Sequence, residues 1–241
     1  MRKSIAVALI VACTASSACS HERDEDAGPV VSRAYQVGGF TELEASGPFN
    51  VTVHTGANPS VQARGNQKLI EKLVVEVKGD KLLIHPENQH SWFGHWDSVS
   101  GEADLTVTVP QLRAATLAGA GGISIDKVQG DSFDGEIAGS GGLRIDSLDV
   151  AKLKVGIAGA GSLNGGGKAQ SADYDIAGSG DVNAGDIAVE DLKVSIAGSG
   201  NVRAHATRAA KVSIVGSGDV EVTGGAKCSV SKLGSGDVRC S

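Results

Sequence analysis

From residue 111 to the C-terminus, aliphatic and polar residues alternate in short runs, and each run closes on the same small-residue phrase. Leu153, Val155 and Ile157 alternate with Lys152, Lys154 and Gly156; Leu192, Val194 and Ile196 repeat the pattern two units later. Alternation with a period of two predicts strands with one buried face. The closing phrase is an apolar residue, Ala, Gly, Ser or Ala, Gly, one variable residue and an aliphatic, as in Ile176-Ala177-Gly178-Ser179-Gly180-Asp181-Val182. Its first Gly falls at Gly119, Gly139, Gly159, Gly178, Gly198, Gly216 and Gly234, at intervals of 20, 20, 19, 20, 18 and 18 residues. A fixed period of this size means one structural unit stacked on itself. Each unit reads as about two short strands joined by bends and cannot close a core alone. Stacked units can, with their aliphatics laddered inside a parallel β-solenoid whose coils lie ~4.8 Å apart. The glycine column predicts a sharp corner at which neighbouring backbones approach too closely for a Cβ. Ser at the middle position is expected to hydrogen-bond along its column or to local backbone.

Residues 34–110 alternate in the same way without the tight repeat. Strands are expected at Phe49–Val53, Leu73–Val77, Lys81–Ile84 and Ala103–Val109, with a hairpin turn at Val77–Lys81 and a short helical stretch near Asn66–Lys72. Between two of these strands, residues 85–98 form a loop insertion that carries both Trp residues of the chain and three of its six His.

The N-terminus reads as targeting sequence. Arg2 and Lys3 precede an apolar stretch, Ser4 to Ala12, and then small residues lead to Cys19. The apolar stretch is far below the ~20 residues of a membrane-spanning helix, so residues 1–18 are expected to be a cleaved export signal. Cys directly after Ser16-Ser17-Ala18 also resembles a bacterial lipoprotein signal, with Cys19 as the lipidated first residue, although Ser16 stands where Leu is usual. Cys13 is the rival; cleavage there would leave Cys19 as an odd thiol in an exported protein, whereas cleavage at Cys19 leaves Cys228 and Cys240 as a pair. Ordinary secretion with cleavage near Ala18 is the plainer alternative. From Cys19 through residue 33 the chain is expected to be a disordered tether, given the charge run His21 to Asp26. A single β domain, residues 34–241, then follows.

The composition narrows the function. The chain has 22 basic and 28 acidic residues, for a net charge of −6; loss of Arg2 and Lys3 with the signal makes it −8. That balance disfavours a phosphate-backbone partner, so no nucleic acid is expected. Two Trp, two Tyr and four Phe against 34 Gly suit a thin core of small aliphatics.

Three groups of residues are candidates for chemistry. The position after Gly-Ser-Gly is Asp181, Asn201, Asp219 and Asp237 in the last four copies, and a carboxylate column can hold Ca²⁺. Yet Ca²⁺-binding rolls carry their Gly-rich phrase twice per turn, and Gly122, Gly142 and Ser162 fill this position in the first three copies, so solvated turn residues are the plainer reading. In the 85–98 loop, His90, Trp92, Phe93, His95 and Trp96 suggest a contact surface whose rings stack on a sugar or partner, against the simpler reading of rings packed back onto the sheet. Its histidines lack strict metal spacing, and neither a metal nor a cofactor is assigned. Cys228 and Cys240 align with inward columns and are expected to form a disulfide stapling the last coil, where Lys232 replaces the usual Ile. No nucleophile elbow occurs: the Gly-Ser-Gly copies are too numerous and regular for that role.

Two segments carry a resemblance. Val37-Gly38-Gly39-Phe40 with Ser46-Gly47-Pro48-Phe49-Asn50-Val51-Thr52-Val53, and Leu105 to Val109-Pro110 running into Leu117-Ala118-Gly119-Ala120-Gly121, are similar to the auto-transporter adhesin head GIN domain family. With the later Gly-Ser-Gly copies, the resemblance covers roughly residues 34–238. It implies an all-β, right-handed β-helix-like domain in exported bacterial proteins, an adhesin-like role, and no catalytic residues. The expectation is a non-enzymatic envelope lipoprotein that binds a glycan or surface protein. Ser20 after Cys19, where Asp is absent, points by resemblance to sorting to the outer membrane. The alternatives are a β-helix enzyme acting on polysaccharide and a purely structural envelope component.

Overall fold

The structure, a computed structural model, describes residues 28–87 and 103–241. It is 76% strand and 3% helix, arranged as a β-solenoid of about 6 turns. The repeats build the regular part. Strands β9 (Gly122–Gly139), β10 (Gly142–Gly159), β11 (Ser162–Gly178), β12 (Asp181–Gly198) and β13 (Asn201–Gly216) each make one coil and pair in parallel with the next; β14 (Val220–Thr223), β15 (Lys227–Gly234) and β16 (Val238–Cys240) complete the C-terminal end. Where two short strands per unit are expected, hydrogen bonding runs through the second bend and leaves a single strand of 16 to 18 residues, broken only at the Gly corner. The coils of irregular length lose residues at that second bend, where register shifts fall between Asn164 and Gly166 and between Ala184 and Ala188.

Inside, alternation becomes columns. Ile137, Ile157, Ile176, Ile196 and Ile214 stack in one, and Ile123, Leu143, Leu163, Val182, Val202 and Val220 in another. All are buried. Two aromatic rings enter this interior, Phe133 and Tyr174, both fully buried. Gly135, the next inward position after Phe133, leaves room for the following coil: a Cβ there would lie 2.8 Å from the Leu143 side chain. Burial pushes the Tyr174 phenol well above its usual pKa.

The N-terminal half is a cap with an unexpected thread. β1 (Val30–Tyr35), β2 (Glu42–Ser46), β3 (Asn50–Thr55), β4 (Ser60–Asn66), α1 (Gln67–Glu71), β5 (Leu73–Lys78), β6 (Lys81–Pro86), β7 (Ala103–Val109) and β8 (Ala114–Gly119) follow in order. β2 and β3 form a coil with its own corner at Gly47. Ser46 pairs with Ala118, Val51 pairs with Ile123, and the Gly47 N–H donates to the Ala118 carbonyl. The chain then leaves this coil, builds β4, α1, β5, β6 and β7 over its outer side, and returns as β8 on the inner side: β2 lies between β6 and β8, and β3 between β7 and β9. Leu69 and Ile70 of α1 are buried and cover the outer end of the core. β5 and β6 form the expected hairpin.

Residues 30–33, expected as the end of a tether, are strand instead. β1 begins at Val30, within residues 19–33, and pairs antiparallel with β4 over Val30–Tyr35; Val31 packs against the core, so apolar burial orders this stretch. No helix among the described residues is long and apolar enough to cross a membrane.

Candidate functional site

The corner column comes first, because it sets where the outward side chains fall. Gly119 through Gly234 hold φ between 121° and 140°, as does Gly47 at 125°. A Cβ on Gly178 would fall on the Gly159 carbonyl oxygen, well inside van der Waals contact, and the same clash recurs up the column. Across the corner, the backbone N–H of Ser179, Ser199, Ser217 and Ser235 donates to the carbonyl of the Gly one coil earlier, at 2.8–3.0 Å. It is thus the backbone of the middle Ser that bonds along the column. The next coil starts two residues later, with all corners aligned.

Alignment puts two polar columns side by side on the outer face of the last coils. Asp181, Asn201, Asp219 and Asp237 form the first; Asn183, Arg203, Glu221 and Arg239 form the second. Between them runs a groove of about 300 Å³, floored by the parallel ladder through Val182, Val202 and Val220. The first column is mixed: Asp181 opens β12 and Asn201 opens β13, whereas Asp219 and Asp237 stand between the corner and the start of β14 and β16; no non-glycine residue of the described chain has positive φ. Asp181 accepts from the Asn201 side-chain amide at 2.9 Å, and Asp219 accepts from the Asp237 backbone N–H at 2.8 Å. In the second column, Asn183 donates to Asn164 at 3.2 Å, Arg203 donates to Asn183 at 3.3 Å, and Arg203 faces Glu221 at 3.6 Å. Amide, carboxylate and guanidinium heads therefore lie in hydrogen-bonded rows along the rod axis. Among the described residues no group of three or more His, Cys, Asp or Glu converges on a point where a metal ion would sit.

The other candidates divide. Cys19 and the loop residues His90, Trp92, Phe93, His95 and Trp96 lie outside the described residues. Cys228 and Cys240 are joined in a disulfide, with their Cα atoms 6.6 Å apart. Their columns point inward, as Cys228 pairs with Ala210 and Cys240 with Val222. Lys232 does occupy the Ile column, opposite Ile214, and its Nζ donates to the Gly236 carbonyl at 2.6 Å across the mouth of the coil.

Two features had no sequence signal. His54 lies 3.3 Å from Asp126, whose carboxylate also accepts from the Thr55 N–H at 3.0 Å; the pair is exposed and bridges β3 to β9, elements far apart in the chain. Lys193 lies 2.8 Å from Asp173 one coil earlier, and this hydrogen bond raises the lysine's pKa.

Comparison with known proteins agrees with this architecture. The profile of a family described as putative auto-transporter adhesin, head GIN domain, matches residues 39–226. The chain belongs to this family. Its matched region runs from just before β2 through β14, leaving out β1, and the Cys228–Cys240 coil lies just beyond it. Among solved structures, the chain is similar to a putative adhesin from Bacteroides fragilis, at 25% identity over 88% of this chain and 97% of that one, with a TM-score of 0.78. It is similar also to a putative lipid binding protein from Parabacteroides distasonis, at 22% identity over 89% and 97%, with a TM-score of 0.69. A putative adhesin from Parabacteroides merdae shares the fold at 17% identity over 89% and 97%, with a TM-score of 0.68. A search of curated proteins finds no match.

Proposed function

We propose that this head GIN protein is a non-enzymatic envelope lipoprotein that displays a rigid polar surface to a glycan or protein partner. Residues 1–18 direct export, Cys19 carries the lipid that holds the chain at the outer membrane, and the short polar tether leads into β1. The observation that carries the binding role is the registry of outward columns: coils that repeat every 18 to 20 residues set their outward side chains in line, so an extended partner meets polar groups at the same position in each of the last coils. The 85–98 loop, with Trp92 and Trp96, is a second contact element in this reading.

A polysaccharide-cleaving β-helix enzyme draws on the groove too, since it holds Asp181, Asp219, Glu221 and Asp237 together with two arginines. All four carboxylates are exposed, however. Glycoside cleavage needs one carboxyl kept protonated, which calls for apolar surroundings. Binding is therefore the reading we adopt.

Fractionation of cells expressing the full chain tests the assignment. Wild type should sediment with outer membranes and Cys19→Ala should appear in the soluble exported fraction, while beads coated with the full chain retain envelope glycan or protein. Unchanged fractionation of Cys19→Ala would remove the anchor, and beads that retain nothing would remove the binding role.

A further inference from the structure

We infer that the groove between the Asp181 and Asn183 columns binds a neutral, linear glycan laid parallel to the solenoid axis, about one sugar per coil. This rests on the binding role proposed above and assigns it a face and a ligand class.

Four observations point there. The backbone does not require these side chains: Gly122, Gly142 and Ser162 fill the first column in the earlier coils with the same registry, and none of the polar replacements is at positive φ. Within the regular coils the first column thus changes from small residues to planar polar heads where the groove begins, although Asn50 and Asp104 of the cap stand in the same column. Second, carboxylate, amide and guanidinium groups each offer two coplanar hydrogen-bonding positions, which suits the paired hydroxyls of a pyranose ring. Third, their capacity is only partly used inside the protein. Asp181, Asn183, Asn201 and Arg203 have side-chain partners, but the Asp237 carboxylate and the Arg239 guanidinium have none among the described residues. Fourth, the groove holds four carboxylates against two guanidiniums in a chain of net charge −6. An anionic polymer is repelled there, while hydroxyl donors match the surplus of acceptors.

Geometry sets the direction and excludes an extended peptide strand. The floor is the face of the sheet, whose N–H and C=O groups are already paired within the ladder, so nothing remains for β-augmentation. Coils advance by ~4.8 Å along the axis, a step close to the length of one pyranose in an extended chain, so successive sugars meet successive members of the two columns.

The test is an array of linear glycans two to six sugars long, in neutral gluco-, manno- and N-acetylglucosamine series and an anionic uronate series, probed with the full chain in detergent. Calorimetric titration of the neutral series that binds best follows. Affinity should rise about tenfold from the disaccharide to the tetrasaccharide and then level off, as the groove spans four coils. An Asn201→Ala/Arg203→Ala variant should lose about tenfold or more in affinity with its melting temperature retained; Lys154→Ala, exposed on another face, should bind as wild type. Silence of the neutral series, preference for uronates, affinity independent of length, or indifference to the groove variant would each overturn the assignment. Should the groove fail while coated beads still retain envelope material, the binding role survives without this face; should the beads fail as well, both fall.

Discussion

Single residues divide sharply by whether a neighbouring coil lies against them. Gly178 and Gly156 sit in adjacent coils, both in sequence that alternates as a strand. Gly178 has φ of 131° and the Gly159 backbone where its Cβ would go, whereas Gly156 has open space and ordinary extended backbone. Gly178→Val should therefore cost at least ~3 kcal/mol or abolish folding, because both strain and a backbone clash oppose it. Gly156→Ala should fall within ~0.5 kcal/mol of wild type. Urea melts of the two variants check this; equal stability would refute the steric account of the corner. The seven repeat glycines were legible in the sequence because their interval is constant. The eighth corner, Gly47, was not. It stands outside the period, and Pro48-Phe49 replaces the small pair of the later copies, so it is visible only through the pairing of Ser46 with Ala118.

At the level of the element, the coils in the middle of the stack support one another on two sides, and the last does not. β15 pairs only with β13, β16 only with β14, and Val230 and Leu233 are left exposed. The disulfide joins these two strands across a separation of 12 residues, which in the chain-entropy account contributes about 3 kcal/mol. Cys228→Ser/Cys240→Ser should accelerate amide exchange in residues 227–240 while β9 to β12 remain protected; protection unchanged in β15 and β16 would show the staple to be dispensable. Strands β3, β5, β6 and β7, the hairpin and the short helix of the cap followed from period and turn chemistry, whereas β2 and β4 did not. What did not follow was the joining of two strands into one per coil, because a bend that keeps its ladder hydrogen bonds looks in sequence like a break. Nor did the start of β1, where two valines after a polar run carry little signal until β4 is there to pair with them.

For the whole molecule, a solenoid should behave as a sum of near-identical layers. Deleting residues 179–198 removes one full period and joins Gly178 to Ser199, preserving every inward column. The product should unfold cooperatively with a urea slope lowered by roughly a tenth. Deleting only 179–188 sets one side of a coil against the other and should fail to fold. Circular dichroism and urea titration distinguish the two; failure of both deletions would mean that the layers are not interchangeable. The candidate groove was half legible at this scale. The Asp181 column follows the repeat phrase directly and reads from sequence as turn residues or a Ca²⁺ site. The Asn183 column two positions on varies in residue type, so its alignment emerges only when the coils are stacked.

The thread through the cap has a consequence for how the protein reaches its native state. β2 and β3 stand near the start of the chain, yet each is flanked on both sides by strands that come later in sequence, β6 and β8 for one, β7 and β9 for the other. Closing that arrangement requires contacts between distant parts of the chain, which form slowly. Coils β10 to β13, by contrast, pair only with immediate neighbours. The N-terminal coil is therefore expected to close last, docking onto repeats that have already paired.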